Sequence, residues 1–453
     1  MRSAIQRIVA RQGKITGLEY TIRQEEAALE TTDNLISDGL ADETRQADEA
    51  PSRSVPEAPG HSVPEAVGIK RFGIAALEDL LYQLRQPAFR SQQLIEWLYG
   101  RAARSYTEMS NLPATLRQAL AAEQPLSTPE IKERLVSKDG SRKYLLELAD
   151  GAAVECVGIP DGQRLTVCFS TQVGCAMGCV FCATGQLGLI RQLAAGEMVD
   201  QLNLVGQDFG QRVTNAVAMG EGEPFANYAA TLDALRLINH AKGLAIGARH
   251  ITVSTCGLPS GIRAFAKEPE QFRLAISLHS AQQETRDMLM PGLRHHRLRN
   301  LQQAIFDYGD KTGRRTSLEY VLINGINDTD DEIVALMQFC EGLDCHVNLI
   351  GLNPPGGGRG GRRDGAGGES ADGERAGGGS AGGERAGGGS AGGIQLDLTP
   401  DSPIRTLVDL TPSSPGRARF ICQELQAVGI EASLRRSRGA DILGACGQLA
   451  GQA

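Results

Sequence analysis

Between residues 164 and 351, short aliphatic and β-branched runs alternate with helical patterns, and this restricts the fold more than any other feature of the chain. "RLTVCFS" reads as a strand and 197–205 as a helix; "NAVAMG" is a strand and 228–240 a helix. "HITVS", "FRLAISL", "TSLEYVLI" and "HVNLIGL" are further strands, most of them separated by helical patterns. A strand followed by a helix and another strand returns parallel to itself, so the order predicts an α/β fold with a parallel sheet, open or closed into a barrel. Such sheets place their chemistry at the carboxyl ends of the strands. The residues that follow each strand are therefore the first candidates for a site.

The run after "RLTVCFS" is unusual. "GCAMGCVFCATG" at 174–185 holds three of the chain's ten cysteines, Cys175, Cys179 and Cys182, in a C-x3-C-x2-C spacing. No charged-then-apolar leader opens the chain and no run of about 18 apolar residues occurs. A cytoplasmic, reducing location without a membrane is expected, and there clustered thiols serve as metal ligands or catalysts more often than as disulfides. A structural zinc site is closed by four ligands, whereas a [4Fe–4S] cube held by three thiolates keeps one iron open. The alternative is a zinc site whose fourth ligand is distant, such as His279 or Cys256, in a non-catalytic RNA-binding protein.

"CAMGCVFC" resembles the signature of the radical S-adenosylmethionine (SAM) superfamily. That resemblance implies a partial (β/α)6 barrel, a [4Fe–4S] cluster on Cys175, Cys179 and Cys182, and SAM chelated to the open iron. An electron from the cluster then yields a 5′-deoxyadenosyl radical. Further strand ends fit a SAM site: Gly222 and Glu223 in "MGEGEP", Ser254 in "STCG", Ser277, Leu278 and His279 in "SLH", and Asn353 after "NLIGLN". Glu223 is suited to accept from an ammonium group.

A wider set, "ECVGIP…TVCFSTQVGCAMGCVFCATG…GEGEP…RGADILGACGQL", resembles the RlmN family of radical SAM RNA methyltransferases over about 70–448. Carried onto matching positions, the family's chemistry makes Cys446 the thiol that accepts a methyl group from SAM by displacement. The methyl carbon, turned into a radical, adds to carbon 2 of an adenine. Glu155 is the proton acceptor. Cys168 attacks the Cys446 sulfur and releases the methylated RNA as a transient disulfide forms. The implied substrates are 23S ribosomal RNA and tRNA, and the implied electron donor is a small protein of flavodoxin or ferredoxin type; a monomer is expected. The related Cfr enzymes methylate carbon 8, which remains the alternative regiochemistry. The Gly-rich stretch below, the acidic leader, and Gly444 in place of the usual alanine depart from the family pattern.

The rest of the chain is organised around this core. Residues 1–68 read as an acidic, disordered leader, with eleven acidic and two basic residues between Glu25 and Glu65. The net charge of −8 is therefore concentrated there, and the remainder is close to neutral, which leaves an RNA partner open. Residues 69–125 read as a small helical accessory domain and 130–355 as the core, opened by a β-meander with turns at Asp139-Gly140 and Asp150-Gly151. A Gly-rich insertion follows at 356–393, with "SADGERAGGG" recurring as "SAGGERAGGG". Residues 394–453 return to the core and carry Cys446. Arg294 with Arg297 and Arg299, Arg314 with Arg315, and Arg435 with Arg436 are the basic groups expected to meet phosphate.

Overall fold

The computed structural model describes residues 63–353 and 410–450. Most of the expected acidic leader and all of the Gly-rich insertion lie outside these residues.

A ten-stranded mixed sheet organises the chain. β1 (Glu130–Val136), β2 (Arg142–Glu147) and β3 (Ala153–Asp161) form the expected antiparallel meander, and β3 pairs antiparallel with β4 (Arg164–Phe169). From β4 onward the sheet is parallel. A short hairpin, β5 (Gln172–Gly174) with β6 (Leu189–Gln192), first branches off. Then β7 (Asn215–Ala218), β8 (Ile251–Thr255), β9 (Arg273–Ser277), β10 (Thr316–Leu322), β11 (Cys345–Gly351) and β12 (Glu431–Arg435) add in chain order. Strands β4 and β7–β11 are the six parallel strands of a partial barrel; β12 adds a seventh, and β1 and β12 are the two edges.

The sequence dictates this layout through burial. The parallel strands are rich in Val, Ile and Leu because helices cover one face and the barrel interior the other. Leu274, Ile276, Leu318, Val347 and Leu349 are all essentially inaccessible. β1 is exposed over nearly its whole length and carries Lys132, Glu133 and Arg134, charges that discourage an edge strand from pairing with another chain.

Ahead of the sheet, helices Ile74–Gln83, Phe89–Ile95 and Ala114–Glu123 bury Leu77, Leu81, Leu94, Leu116 and Leu120 against one another. The unit is fastened to the barrel by a buried ion pair. Lys70 Nζ donates to both carboxylate oxygens of Asp200, at 2.7 and 2.6 Å, on helix Ala195–Phe209. Removing one member of a buried pair strands the other charge, which costs about 3–5 kcal/mol. Lys70→Met is therefore expected to lower the stability of the folded protein by that amount in urea titrations, and an unchanged midpoint would mean that the pair contributes nothing to the attachment.

Candidate active site

The loop after β5 lies at the carboxyl end of the barrel and is pinned from several sides. Gly174 has φ +73°, and a side chain there would meet the Gly188 carbonyl at 2.0 Å. The two strands can close only with glycine at that position. Cys175 N donates to Gly188 O at 2.9 Å, and Cys182 N to Cys179 O at 3.1 Å. From behind, Val180 N donates to Leu289 O and Gly292 N to Met177 O, both at 3.0 Å. Cys175, Cys179 and Cys182 open on one cavity of about 990 Å³, its mouth included.

All three thiols are free. Burial pushes Cys175 up to about 12 and raises Cys179 and Cys182 as well. Such thiols stay protonated unless a metal centre draws the proton off. Among the described residues, no group of His, Cys, Asp and Glu side chains gathers tightly enough to hold a single metal ion. Three thiols lining one cavity are the donor set of a cube that keeps one iron open. The polar groups opposite them, Glu223, Ser254 and Ser277, suit an adenosyl amino acid.

Most of the expected SAM residues line this cavity: Gly222, Glu223, Ser254, Ser277, His279 and Asn353. Gly222 has φ +100°, and a side chain would run into Gln172 at 2.6–2.8 Å. Glu223 Oε1 accepts from Phe225 N at 2.9 Å and Thr255 Oγ1 at 2.6 Å, and Oε2 accepts from Cys256 N at 2.6 Å. The Cys256 thiol is a fourth partner of this carboxylate, so an ammonium group would bind by replacing or sharing one of these donors. Ser254 and Ser277, on adjacent strands, place their hydroxyls 3.4 Å apart. His279 Nδ1 accepts from Val321 N at 3.1 Å, and burial, with Arg286 nearby, holds its imidazole down at about 3. The ring is therefore neutral, with its proton on Nε2. Leu278 is the exception: its side chain is fully buried in the core and does not line the cavity. A strand's side chains alternate, so Ser277 and His279 share one face and Leu278 takes the other.

The two outlying cysteines meet. Cys446 lines the three-thiol cavity and also a second cavity of about 1000 Å³ that it shares with Cys168 of β4. Burial pushes the Cys168 thiol up to about 12; Cys446 is exposed. The C-terminal segment reaches this place because the cluster loop holds it. Ala183 N donates to Gly447 O at 2.8 Å and Thr184 Oγ1 to Leu449 O at 2.6 Å, while Asn353 Nδ2 donates to Cys446 O at 3.3 Å.

Glu155 lies apart from both cavities. It is buried in β3, with Oε1 2.8 Å from Lys143 Nζ and Oε2 accepting from Ala450 N at 2.8 Å. Lys143 is a partner that the sequence did not announce, because it reaches Glu155 across the β2–β3 pairing.

The basic groups divide. Arg314 donates to Glu270 O and Phe272 O, and Arg315 pairs with Asp344 and Glu431. Both lie before β10, at the opposite end of the barrel, where they brace strands instead of facing the site. Arg435 and Arg436 do line the second cavity, together with Arg164 and Arg438. Arg435 has a role that sequence reasoning missed. It borders both cavities, lies 3.5 Å from Glu319, and its guanidinium is raised first by Cys446, then by Glu319 and Cys168, against the effect of burial. The Arg435 charge works against burial at Cys168 and favours its thiolate form. Arg435→Met is expected to raise the Cys168 thiol further and to slow any step that uses its thiolate about tenfold at neutral pH, with the loss shrinking as pH rises and Arg435→Lys restoring much of the rate. A pH-independent defect would make Arg435 merely structural.

Comparison with known proteins agrees with this geometry. Residues 169–340 match the Radical SAM superfamily, and residues 69–125 match the ribosomal RNA large subunit methyltransferase N-terminal domain. A probable dual-specificity RNA methyltransferase RlmN of Synechococcus sp. is 47% identical over 284 residues, covering 61% of this chain and 80% of that protein. Its counterpart in Thermosynechococcus vestitus is 38% identical over 364 residues, covering 80% of this chain and 92% of the relative. The chain belongs to the RlmN family. A crystal structure of a radical SAM methyltransferase from Sphaerobacter thermophilus, 37% identical, superimposes with a TM-score of 0.69 over 85% of this chain and all of that one. The protein is thus a radical SAM RNA methyltransferase, and membership implies SAM and a [4Fe–4S] cluster. The alternative of a zinc-bearing protein without catalysis falls away. Among the described residues, no helix is long and apolar enough to cross a membrane.

Proposed function

We propose that this RlmN-family enzyme methylates carbon 2 of adenosine in 23S rRNA and in tRNA, with Cys446 as methyl carrier and Cys168 as resolving thiol. The relatives' dual specificity supports two RNA substrates. The observation that carries the reading is the shared cavity: thiols 278 positions apart in sequence line one space, and the later one also borders the three-thiol cavity.

Cys175, Cys179 and Cys182 would hold the cluster, and Gly222, Glu223, Ser254, Ser277, His279 and Asn353 would surround SAM. When bound, these groups supply an electrophilic methyl and one-electron chemistry. The protein's part is to place nucleophiles and protons. Cys446, exposed at the mouth, takes the methyl on sulfur. Once that carbon is joined to the adenine ring, and the unpaired electron left by radical addition has been given up to the bound one-electron centre, Glu155 is the residue that accepts the ring proton. Ala450 N caps its Oε2, so this service requires the tail beyond Cys446 to lift. Cys168 then attacks the Cys446 sulfur: the S–S bond forms as the S–C bond breaks, and the carbon keeps the electron pair and takes up a proton. Arg164, Arg436 and Arg438 give the second cavity a cationic wall suited to an RNA backbone.

Nucleoside mass spectrometry of rRNA and tRNA from cells with and without the gene tests the reading. Loss of 2-methyladenosine from both RNAs is expected. Unchanged levels, or loss of 8-methyladenosine in its place, would overturn it.

A further inference from the structure

Arg286 is a buried cation for which nothing so far accounts. It sits on helix Gln283–Leu289 and is 1% exposed. Nε donates to Leu278 O at 3.3 Å and Nη2 donates to Cys256 O, while Nη1 is buried with no partner. Both acceptors are neutral carbonyls. Among the described residues, no carboxylate stands within ion-pair distance of the guanidinium. A charge removed from water without an opposing charge is destabilising, so such cations persist where an anion answers them.

The position of the helix shows where that anion belongs. Its last residue, Leu289, and the turn Pro291–Leu293 that follows are the elements that hold the cysteine loop from behind, through Val180 N and Gly292 N. The carbonyl gripped by Nη2 belongs to Cys256, which lines the same cavity as Cys175, Cys179 and Cys182. We propose that Arg286 is the fixed counter-charge of the iron–sulfur cluster, a positioning residue that offsets the negative charge of the three thiolates and of the electron the cluster receives. This rests on the reading of those thiols as cluster ligands. In a low-dielectric site a nearby cation favours the reduced form, so it raises the midpoint potential and eases loading from a weak donor.

The test uses the full chain, reconstituted anaerobically with iron and sulfide, as wild type, Arg286→Lys, Arg286→Gln and Arg286→Met. About four irons per chain are expected in the wild type, and EPR-monitored redox titration then gives each midpoint. The neutral variants are expected to disfavour reduction by about tenfold or more, a shift of about 59 mV to more negative potential for one electron. Arg286→Lys is expected to stay within about threefold of wild type. Met preserves apolar bulk, so it carries the comparison if the Gln protein does not fold. Neutral variants that load iron and shift less than twofold would overturn the proposal alone, and so would a Lys variant that shifts as far as they do. A wild type that takes up no iron would overturn both this proposal and the cluster reading beneath it.

Discussion

Cys446→Ala protein will form no methylated adenosine and no covalent RNA complex, whereas Cys168→Ala will accumulate one. Both variants should lose turnover by about 10³-fold or more, because each removes a group that acts in series with the other. The difference lies in where the sequence of bonds stops. Without the Cys446 sulfur there is nothing to carry the methyl carbon to the ring. Without Cys168 the carbon is already joined to both sulfur and adenine, and the S–C bond has no attacking thiolate. The structure supports this order, because the two side chains line one cavity while Cys446 alone faces the three-thiol side. Denaturing gel shifts with labelled RNA read the result directly; equal adduct in both variants would end the assignment. A pH signature follows as well. Burial holds the Cys168 thiol up at about 12, so its thiolate fraction grows about tenfold per pH unit below that value. In single-turnover experiments with the unmodified protein, decay of the adduct should accelerate between pH 7 and 10, and a flat profile would point to a different resolving group.

Replacing any one of Cys175, Cys179 or Cys182 with alanine should abolish activity below detection and lower iron content after reconstitution, while the apoprotein keeps its fold. The two halves of this expectation have separate causes. Three thiolates are the minimum that hold a cube with one open iron, so the loss of any one of them cannot be covered locally. The fold survives because the loop is fastened by backbone bonds, from Cys175 N to Gly188 O and from Val180 N to Leu289 O, which do not involve the thiols. Far-ultraviolet circular dichroism and iron analysis separate the two. Full iron in all three alanine variants would show that these residues are not the ligands.

The parallel strands were legible because each is short, apolar and bounded by polar turns, and buried strands need no partner to be recognised. The three cysteines, and the serines that end β8 and β9, were legible for the same reason: strand ends in such a sheet converge. The β5–β6 hairpin was not, because Gln172–Gly174 is three residues long and its partner is fixed by Gly188, not by any apolar pattern. Leu278 was grouped with its neighbours in "SLH", though period-two alternation buries it. Arg435 resembled one of several phosphate contacts in "SLRRSRG"; only the pairing of β12 with β11 brings it between Cys168 and Cys446. The Lys143 partner of Glu155 and the unpaired Arg286 are products of long-range packing, which spacing along a chain does not encode.

The bonds from Ala183 and Thr184 to Gly447 and Leu449 mean that the three-cysteine loop and the segment carrying Cys446 share one anchorage. A change that shifts that loop should therefore also loosen its grip on Cys446. Whatever dislodges one would then idle both halves of the proposed catalytic cycle together.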